Sequence, residues 1–399
     1  MKEPFLKAIP LLTKIEDAGY EAYFVGGSVR DCLLGEEIAD VDIATSATPQ
    51  EIKAIFPKTV DVGIEHGTIV VLFNGTPYEV TTFRTESEYM DFRRPSEVQF
   101  IRSLREDLQR RDFTMNAIAM DKTGRFTDPF HGRQSIKEKI IKTVGKPEDR
   151  FNEDALRMMR AVRFYSQLGF EIETQTWDAL VSSGYLLEKI AVERKLIEFE
   201  KLLMGKNRIN ALQSLADTGL YKFLPGMAPY LDGLHRSVQF NCCQLTVVEM
   251  WVFLIHVFGL ERSEVEPFLK EWKLPIKKIK KIISILIGLD FRLKADWTAS
   301  ALFQAGIETA KGTERLYNVL QNQNANHELN HVSAMFEFLP IKQRSELQVT
   351  GTDLQEWFQM KPGPWIREKL EMAENAVITR EISNRKESIR EWLIRCNQS

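Results

Sequence analysis

Residues 26–43 read Gly26-Gly27-Ser28-Val29-Arg30-Asp31-Cys32-Leu33-Leu34-Gly35-Glu36-Glu37-Ile38-Ala39-Asp40-Val41-Asp42-Ile43, and most of what the chain says about its fold starts there. Tyr23-Phe24-Val25, just upstream, is a buried-strand candidate that ends at the glycine pair. A short helix is expected from near Val29, with Arg30 in its first turn. Small residues ahead of a helix N-terminus let backbone N–H groups approach an anion, and Arg30 can add a guanidinium to phosphate or ribose oxygens. Asp40-Val41-Asp42-Ile43 alternates polar and apolar, the period of a half-buried strand. On such a strand Asp40 and Asp42 share one face while Val41 and Ile43 turn to the core. Two adjacent carboxylates repel unless a cation sits between them, and Mg²⁺ commonly takes one or two carboxylates plus substrate phosphates. Asp-x-Asp alone is common by chance on solvated strand edges; the glycine turn and Arg30 upstream favour the metal reading. A dinucleotide-binding reading of Gly26-Gly27 fails for want of Gly-x-Gly-x-x-Gly.

Working outward, Ile69-Val70-Val71-Leu72-Phe73, the Asn74-Gly75 turn and Tyr78 to Phe83 predict a hairpin, because Asn-Gly supplies the positive φ of a tight turn. Glu79 on its second strand is the candidate for a third carboxylate. Met120 to Phe130 predicts another hairpin around Thr123-Gly124. After residue 150 the β signal fades and helical periodicity dominates, for example in Val192–Leu203, Leu245–Val257 and Pro275–Leu289, punctuated by Gly205, Pro225-Gly226 and Pro362-Gly363-Pro364. The expected fold is therefore an α+β catalytic head followed by an all-helical remainder.

The bulk properties bound the class. At 399 residues the chain is too long for one compact core. Its 44% hydrophobic and 27% charged residues are those of an ordinary globular protein, and no apolar run approaches the roughly 18 residues of a membrane span. Met1-Lys2-Glu3-Pro4 does not resemble a signal peptide. Cys32, Cys242, Cys243 and Cys396 have no Cys-x-x-Cys spacing, so a reducing cytoplasm is the expected location. A formal charge of −3 does not advertise nucleic-acid binding, so any basic surface must be local. Lys277, Lys278, Lys280 and Lys281 alternate with isoleucines on one helix and fit an ordinary wet face as well as a phosphate contact. Trp251, Trp272 and Trp357 fall at helical apolar positions and are expected in the core.

Four ordered motifs then converge on one family. Gly26 to Asp31 with Leu33-Leu34-Gly35 and Asp40-Val41-Asp42, then Arg110-Arg111-Asp112-Phe113-Thr114-Met115-Asn116-Ala117, then Asp128-Pro129-Phe130-His131-Gly132, then Glu153-Asp154-Ala155-Leu156-Arg157 resemble the polymerase-β-like nucleotidyltransferases of the class II tRNA nucleotidyltransferase / poly(A) polymerase group. The resemblance implies a head (1–150), a neck (151–206), a body (207–290) and a tRNA-binding tail (291–399). It implies addition of C, C and A to the tRNA 3′ end from CTP and ATP, with magnesium on Asp40 and Asp42. It implies nucleotide contacts from Gly27, Arg30, Arg111, Asp154, Arg157, Arg160 and Arg163, and a ribose contact from Asp112. No obligatory protein partner is evident, and a homodimer stays open.

The last motif has a chemical logic. A helix is expected from about Asn152 to Leu168, with Asn152 as N-cap and Gly169 as stop, which sets Asp154 and Arg157 side by side. Cytosine and adenine each offer an amino donor beside a ring-nitrogen acceptor, whereas uracil and guanine offer the reverse. An acceptor beside a donor fork satisfies the first two and leaves buried groups unpaired against the others. Arg160 and Arg163, turned away from Asp154, suit triphosphate or helix–head contacts better. A solvated Asp–Arg surface pair is the bland alternative. Thr85 to Pro95 follows no period and is expected to be a loop near the site, and the resemblance implies that it helps the switch from C to A. A bacterial poly(A) polymerase, a CC-only or A-only relative, and a catalytically silent RNA-binding protein are the competing functions.

Overall fold

The computed structural model describes residues 1–86, 98–323 and 326–397. They form two compact units, one of Met1–His235 with Glu271–Lys273 and the other of Arg236–Lys270 with Leu274–Ser399.

The first unit is built on a mixed sheet whose strands are β1 (Ala22–Val25), β2 (Asp42–Thr45), β3 (Thr59–Gly63), β4 (Thr68–Phe73) and β5 (Thr76–Thr82). Beyond them run β6 (Arg84–Glu86), β7 (Val98–Phe100), β8 (Ala119–Met120), β9 (Phe126–Thr127), β10 (Ile140–Ile141) and β11 (Glu171–Ile172). The main sheet has the order β3-β4-β5-β2-β1-β8-β9. Only β2 and β5 pair in parallel within it, with Asp42 opposite Glu79 and Ile43 opposite Val80. The β4–β5 hairpin turns at Asn74 and Gly75, both at positive φ, as the sequence predicts. The second hairpin is shorter than expected, β8 with β9 alone.

Around the sheet lie α1 (Glu3–Asp17), α2 (Gly27–Leu34), α3 (Pro49–Ile55), α4 (Leu104–Gln109) and α5 (Gly132–Glu138). They are followed by α6 (Pro147–Glu153), α7 (Leu156–Leu168), α8 (Thr174–Ser183), α9 (Val192–Leu203) and α10 (Arg208–Asp217). α1 buries Phe5, Ala8, Leu11, Leu12 and Ile15 at the 3.6 spacing of an amphipathic helix, with Phe5 tilted against Phe24 of β1 at 4.8 Å.

Four expectations need correction. The strand read from Asp40 begins at Asp42. Its neighbour β1 ends at Val25, opposite Asp42, because Gly26 turns the chain away at φ 70, and Asp40 is left exposed ahead of the ladder. The helix expected from Val29 starts at Gly27. The helix expected over 152–168 is two helices: Asn152 lies inside α6, and Asp154 breaks the run with extended backbone, φ −140 and ψ 101. Its carboxylate accepts the Leu156 N–H at 3.1 Å, the local competition with helical bonding that Asp commonly offers. Finally, Thr85 and Glu86 are strand residues, paired with Gln99 and Val98. The rest of that expected loop, from residue 87, lies outside the described residues.

The Asp128-Pro129-Phe130-His131-Gly132 motif acts through packing. Asp128 accepts the N–H groups of Gly132 at 2.7 Å and Arg133 at 2.9 Å, which anchors the start of α5. A Cβ on Gly132 would lie 2.1 Å from the Thr114 carbonyl oxygen and 2.7 Å from Ile118. α5 therefore presses directly on the short turn Thr114–Asn116, and Thr114 also meets Ser135 hydroxyl to hydroxyl at 2.8 Å.

The second unit is helical throughout its described residues. The apolar helix Val247–Phe258 is buried almost all round, and the long helix Ile276–Arg292 buries Ile279, Ile282, Ile285 and Leu289. Lys277, Lys280 and Lys281 on that helix face outward. Trp251 here and Trp272 of the first unit are fully buried, and Trp357 partly so, as core aromatics should be. Two buried glutamates are paired there, Glu249 with Arg315 at 2.5 Å and Glu314 with Arg292 at 3.0 Å. No described helix is long and apolar enough to cross a membrane.

Gly132→Ala is expected to destabilise the first unit by roughly 1–3 kcal/mol, the usual cost of overpacking. Urea denaturation followed by circular dichroism measures it, and an unchanged midpoint would show that α5 does not press on the Thr114 carbonyl.

Candidate active site

The carboxylates gather at the β2–β5 junction. Asp42 and Glu79 are registered partners on parallel strands, so both side chains leave the same face of the sheet. Asp40, Asp42 and Glu79 line a cleft of about 460 Å³ with Gly27, Ser28 and Asp31. Burial pushes the Asp42 carboxyl up to about 6, Glu79 and Asp40 add to the rise, and Arg111 opposes it. The donor set is all oxygen, which suits a hard divalent cation. Among the described residues no three His, Cys, Asp or Glu side chains converge on one point.

Gly26 shapes the other wall. It sits at φ 70, and a Cβ there would lie 3.2 Å from Asp42 Oδ2 and 3.4 Å from Arg111 Nη1. The backbone passes between a carboxylate and a guanidinium, and α2 then starts at Gly27. Arg30, one turn on, bonds Asp31 at 2.8 Å and packs over the Phe164 ring at 5.1 Å. Ser28 is not free for a ligand, since its hydroxyl donates to the Val25 carbonyl at 2.9 Å.

Arg111 is positioned from beneath by Asp107, a fully buried residue that sequence reading missed. Asp107 accepts Arg111 Nη2 at 3.2 Å and Arg110 at 2.8 and 3.0 Å. Its burial would raise its pKa, but Arg110 and Arg111 hold the carboxyl below the ordinary value. Asp107 precedes the two arginines by three and four residues, so helical spacing could have revealed it.

Asp112 was expected to meet the ribose. It is buried, accepting the Phe113 N–H at 2.8 Å, Asn116 Nδ2 at 3.0 Å and Arg160 Nε at 2.7 Å. Against its burial, Arg160 and Asn116 hold the carboxyl at about 2. Both oxygens are engaged, so its direct partner is Arg160 rather than open solvent. Arg163, next along α7, lies 2.9 Å from Glu198 Oε2, yet its Nε and that oxygen are misaligned and make no hydrogen bond. Burial lowers the Arg163 pKa to about 10, with Glu198 opposing and Arg160 adding to the fall.

Asp154 and Arg157 are near in sequence but reach toward different partners. Asp154 Oδ2 accepts Arg194 Nη2 at 2.8 Å. Arg157 turns toward the head, donating to the Arg110 carbonyl at 2.9 Å and the Arg150 carbonyl at 3.0 Å, and it pairs with Glu153. Arg194 and Glu198 come from α9, some 40 residues on, with no local signal to reveal them. Arg111 Nε and Arg194 Nη1 are buried without a partner.

Paired carboxylates beside a glycine turn on a mixed sheet, with arginines leading from that turn to a following helix, define a nucleotidyltransferase of the polymerase-β-like kind. The comparisons agree. The chain matches the poly A polymerase head domain over residues 22–142, the RNA and SrmB binding site of polymerase A over 169–231, and tRNA nucleotidyltransferase domain 2 over 245–393. It is 49% identical to a CCA-adding enzyme from Bacillus mycoides over 396 residues, 99% of each chain. It is similar to the crystal structure of the Bacillus stearothermophilus CCA-adding enzyme in complex with CTP, at 46% identity and a TM-score of 0.94, covering 100% of this chain and 98% of that one. It shares its fold with the Thermotoga maritima CCA-adding enzyme complexed with tRNA, at 21% identity and a TM-score of 0.63, over 99% and 96% of the chains. The chain belongs to the CCA-adding enzyme family.

The folded-state pKa of Asp42 lies above its unfolded value, so folding loses stability as pH rises from about 3.8 to about 6, and the cost is complete once the folded carboxyl has lost its proton near 6. A divalent cation displaces that proton. Carbon NMR of the metal-free protein should therefore show an Asp42 carboxyl midpoint near 6 that falls by a unit or more when millimolar Mg²⁺ is added. An ordinary midpoint near 3.8 without metal would separate Asp42 from the other carboxylates.

Proposed function

We propose that this chain adds C, C and A in turn to the 3′ end of tRNA from CTP and ATP, releasing pyrophosphate. The observation that carries the reading is the Asp40, Asp42 and Glu79 cleft walled by Gly27 and reached by Arg111. A pair of magnesium-type cations held by Asp40 and Asp42 would supply Lewis-acid activation of the attacking 3′ hydroxyl and steady the leaving pyrophosphate. Gly27, Arg30, Arg111, Arg160 and Arg163 then bind and orient the triphosphate, and Asp112 serves the ribose side through Arg160. The head is shared with poly(A) polymerases, but full-length similarity to CCA-adding enzymes favours tRNA repair over tailing. One of the solved relatives was determined with CTP and another with tRNA. Head, neck, body and tail over 1–150, 151–206, 207–290 and 291–399 are the proposed division of labour, the tail holding tRNA. Four free cysteines suit a cytoplasmic setting.

Asp154 and Arg157 read the base in this proposal. Arg194 fixes the Asp154 carboxylate as an acceptor for the exocyclic amino group of C or A. Arg157 has five N–H donors, so it can serve a ring nitrogen while keeping a bond to the head.

Asp42→Ala and Asp40→Ala should each abolish incorporation of CTP and ATP while leaving tRNA affinity nearly intact. Turnover and RNA binding are measured separately, and retention of more than about a few per cent of turnover counts against the assignment.

Replacing Arg157 by a residue without donors should cost roughly 1.5–3 kcal/mol, or about ten- to a hundredfold, in discrimination. Asp154→Ala should let UTP and GTP gain ground on CTP and ATP. The check is kcat/KM for all four nucleotides, and four unchanged ratios would move base reading elsewhere.

A further inference from the structure

We infer that Asn116 is the positioning residue that sets Arg30 of α2 and Arg160 of α7 into one arrangement for the triphosphate, an inference that rests on the nucleotide reading of the cleft. Asn116 closes the turn Thr114–Asn116 and is 6% exposed. Its Oδ1 accepts Arg30 Nη1 at 2.8 Å, and its Nδ2 donates to Asp112 Oδ1 at 3.0 Å. A guanidinium can only donate and an ionised carboxylate can only accept, so a single orientation of the amide satisfies both neighbours. The other Asp112 oxygen bonds Arg160 through Nε at 2.7 Å and Nη2 at 2.5 Å. The Asn116 carbonyl oxygen accepts Arg111 Nη1 at 3.5 Å. One short side chain thus links the cation beside the glycine turn to the first cation of the neck helix, and its backbone touches the third.

The relay opposes a real repulsion. Arg30, Arg160 and Arg163 lie 5.1, 5.6 and 4.1 Å from the centre of the same Phe164 ring. Like charges so close disperse unless anions and acceptors fix them. Asp31 fixes Arg30 from one side, Asp112 and Glu198 fix Arg160, and Asn116 is the uncharged link between the two sets. Its backbone is secured independently, since Thr114 N–H bonds the Lys142 carbonyl at 2.9 Å and α5 packs on the turn. Truncating the side chain therefore removes the relay without removing the turn. Neither glutamine, one methylene longer, nor a hydrophobic residue can make both bonds from this position.

The test uses the full chain with tRNA lacking its 3′ end, and inorganic tripolyphosphate as the probe of the phosphate-binding cations. Asn116→Ala should raise KM for CTP and ATP alike, and the inhibition constant for tripolyphosphate, by about tenfold, the loss expected for one charge-assisted hydrogen bond. kcat should stay within about threefold, because no reacting atom is touched. In an Arg30→Met background the same change should add less than about threefold, since the two residues act as a unit. Asn116→Asp, nearly isosteric but repelling Asp112, should show the same rise and covers the case of a poorly folded alanine variant. A wild-type enzyme insensitive to tripolyphosphate would overturn the nucleotide reading of the cleft, and this inference with it. A sensitive wild type with equally sensitive Asn116 variants overturns this inference alone, as does full additivity with Arg30→Met or loss of fold in both Asn116 variants.

Discussion

Parallel pairing of β2 with β5 puts Asp42 beside Glu79 across one ladder step, and the geometry of the catalytic end follows from having to keep that juxtaposition. Two carboxylates on adjacent strands repel each other and disfavour the fold at neutral pH. The structure answers with Arg111 on one side and with Gly26, where a Cβ would crowd both Asp42 and Arg111. Asp107, itself fully buried, keeps Arg111 in place. The strain of assembling like charges is thus met by a fixed cation close by, with the remainder available to a metal ion. A site organised this way has its polar groups aimed before the substrate arrives, which is where enzymes gain most of their electrostatic advantage.

The same logic, with signs reversed, runs along α7. Arg157, Arg160 and Arg163 leave its turns at three-residue spacing, and each is met by an acid or carbonyl drawn from elsewhere: Glu153 and the Arg110 carbonyl, Asp112, and Glu198 of α9. Cations held in this way keep their positions at low entropic cost when an anion binds. Glu153 lies four residues from its arginine, but Asp112 and Glu198 come from distant parts of the chain.

That difference explains what the sequence could and could not disclose. The glycine turn, the Asn-Gly hairpin and the amphipathic helices are local patterns, and each is found close to where those patterns put it, whereas of the Asp pair only Asp42 lies on the strand. Register is not local: that Glu79 faces Asp42 depends on which strands become neighbours, and Glu79 could be named only as a candidate. Asp154 illustrates the opposite failure. Its spacing to Arg157 implies one continuous helix, but a carboxylate that bonds the backbone two residues on and an arginine 40 residues away outweigh helical propensity and break it. Asp112 reads as a ligand by motif, and its burial beside Arg160 and Asn116 is decided by packing that no local pattern shows.

The two-residue ladder between β10 and β11 is easily overlooked. It joins Ile140 and Ile141 to Glu171 and Ile172, so the intervening α6 and α7 form a closed excursion, and flanking bonds from Glu171 N–H to Lys139 and from Glu173 N–H to Ile141 extend it. A chain segment tied at both ends cannot fray from either one. In hydrogen-exchange terms, the clasp removes the two free ends from which the arginine-bearing segment would otherwise open.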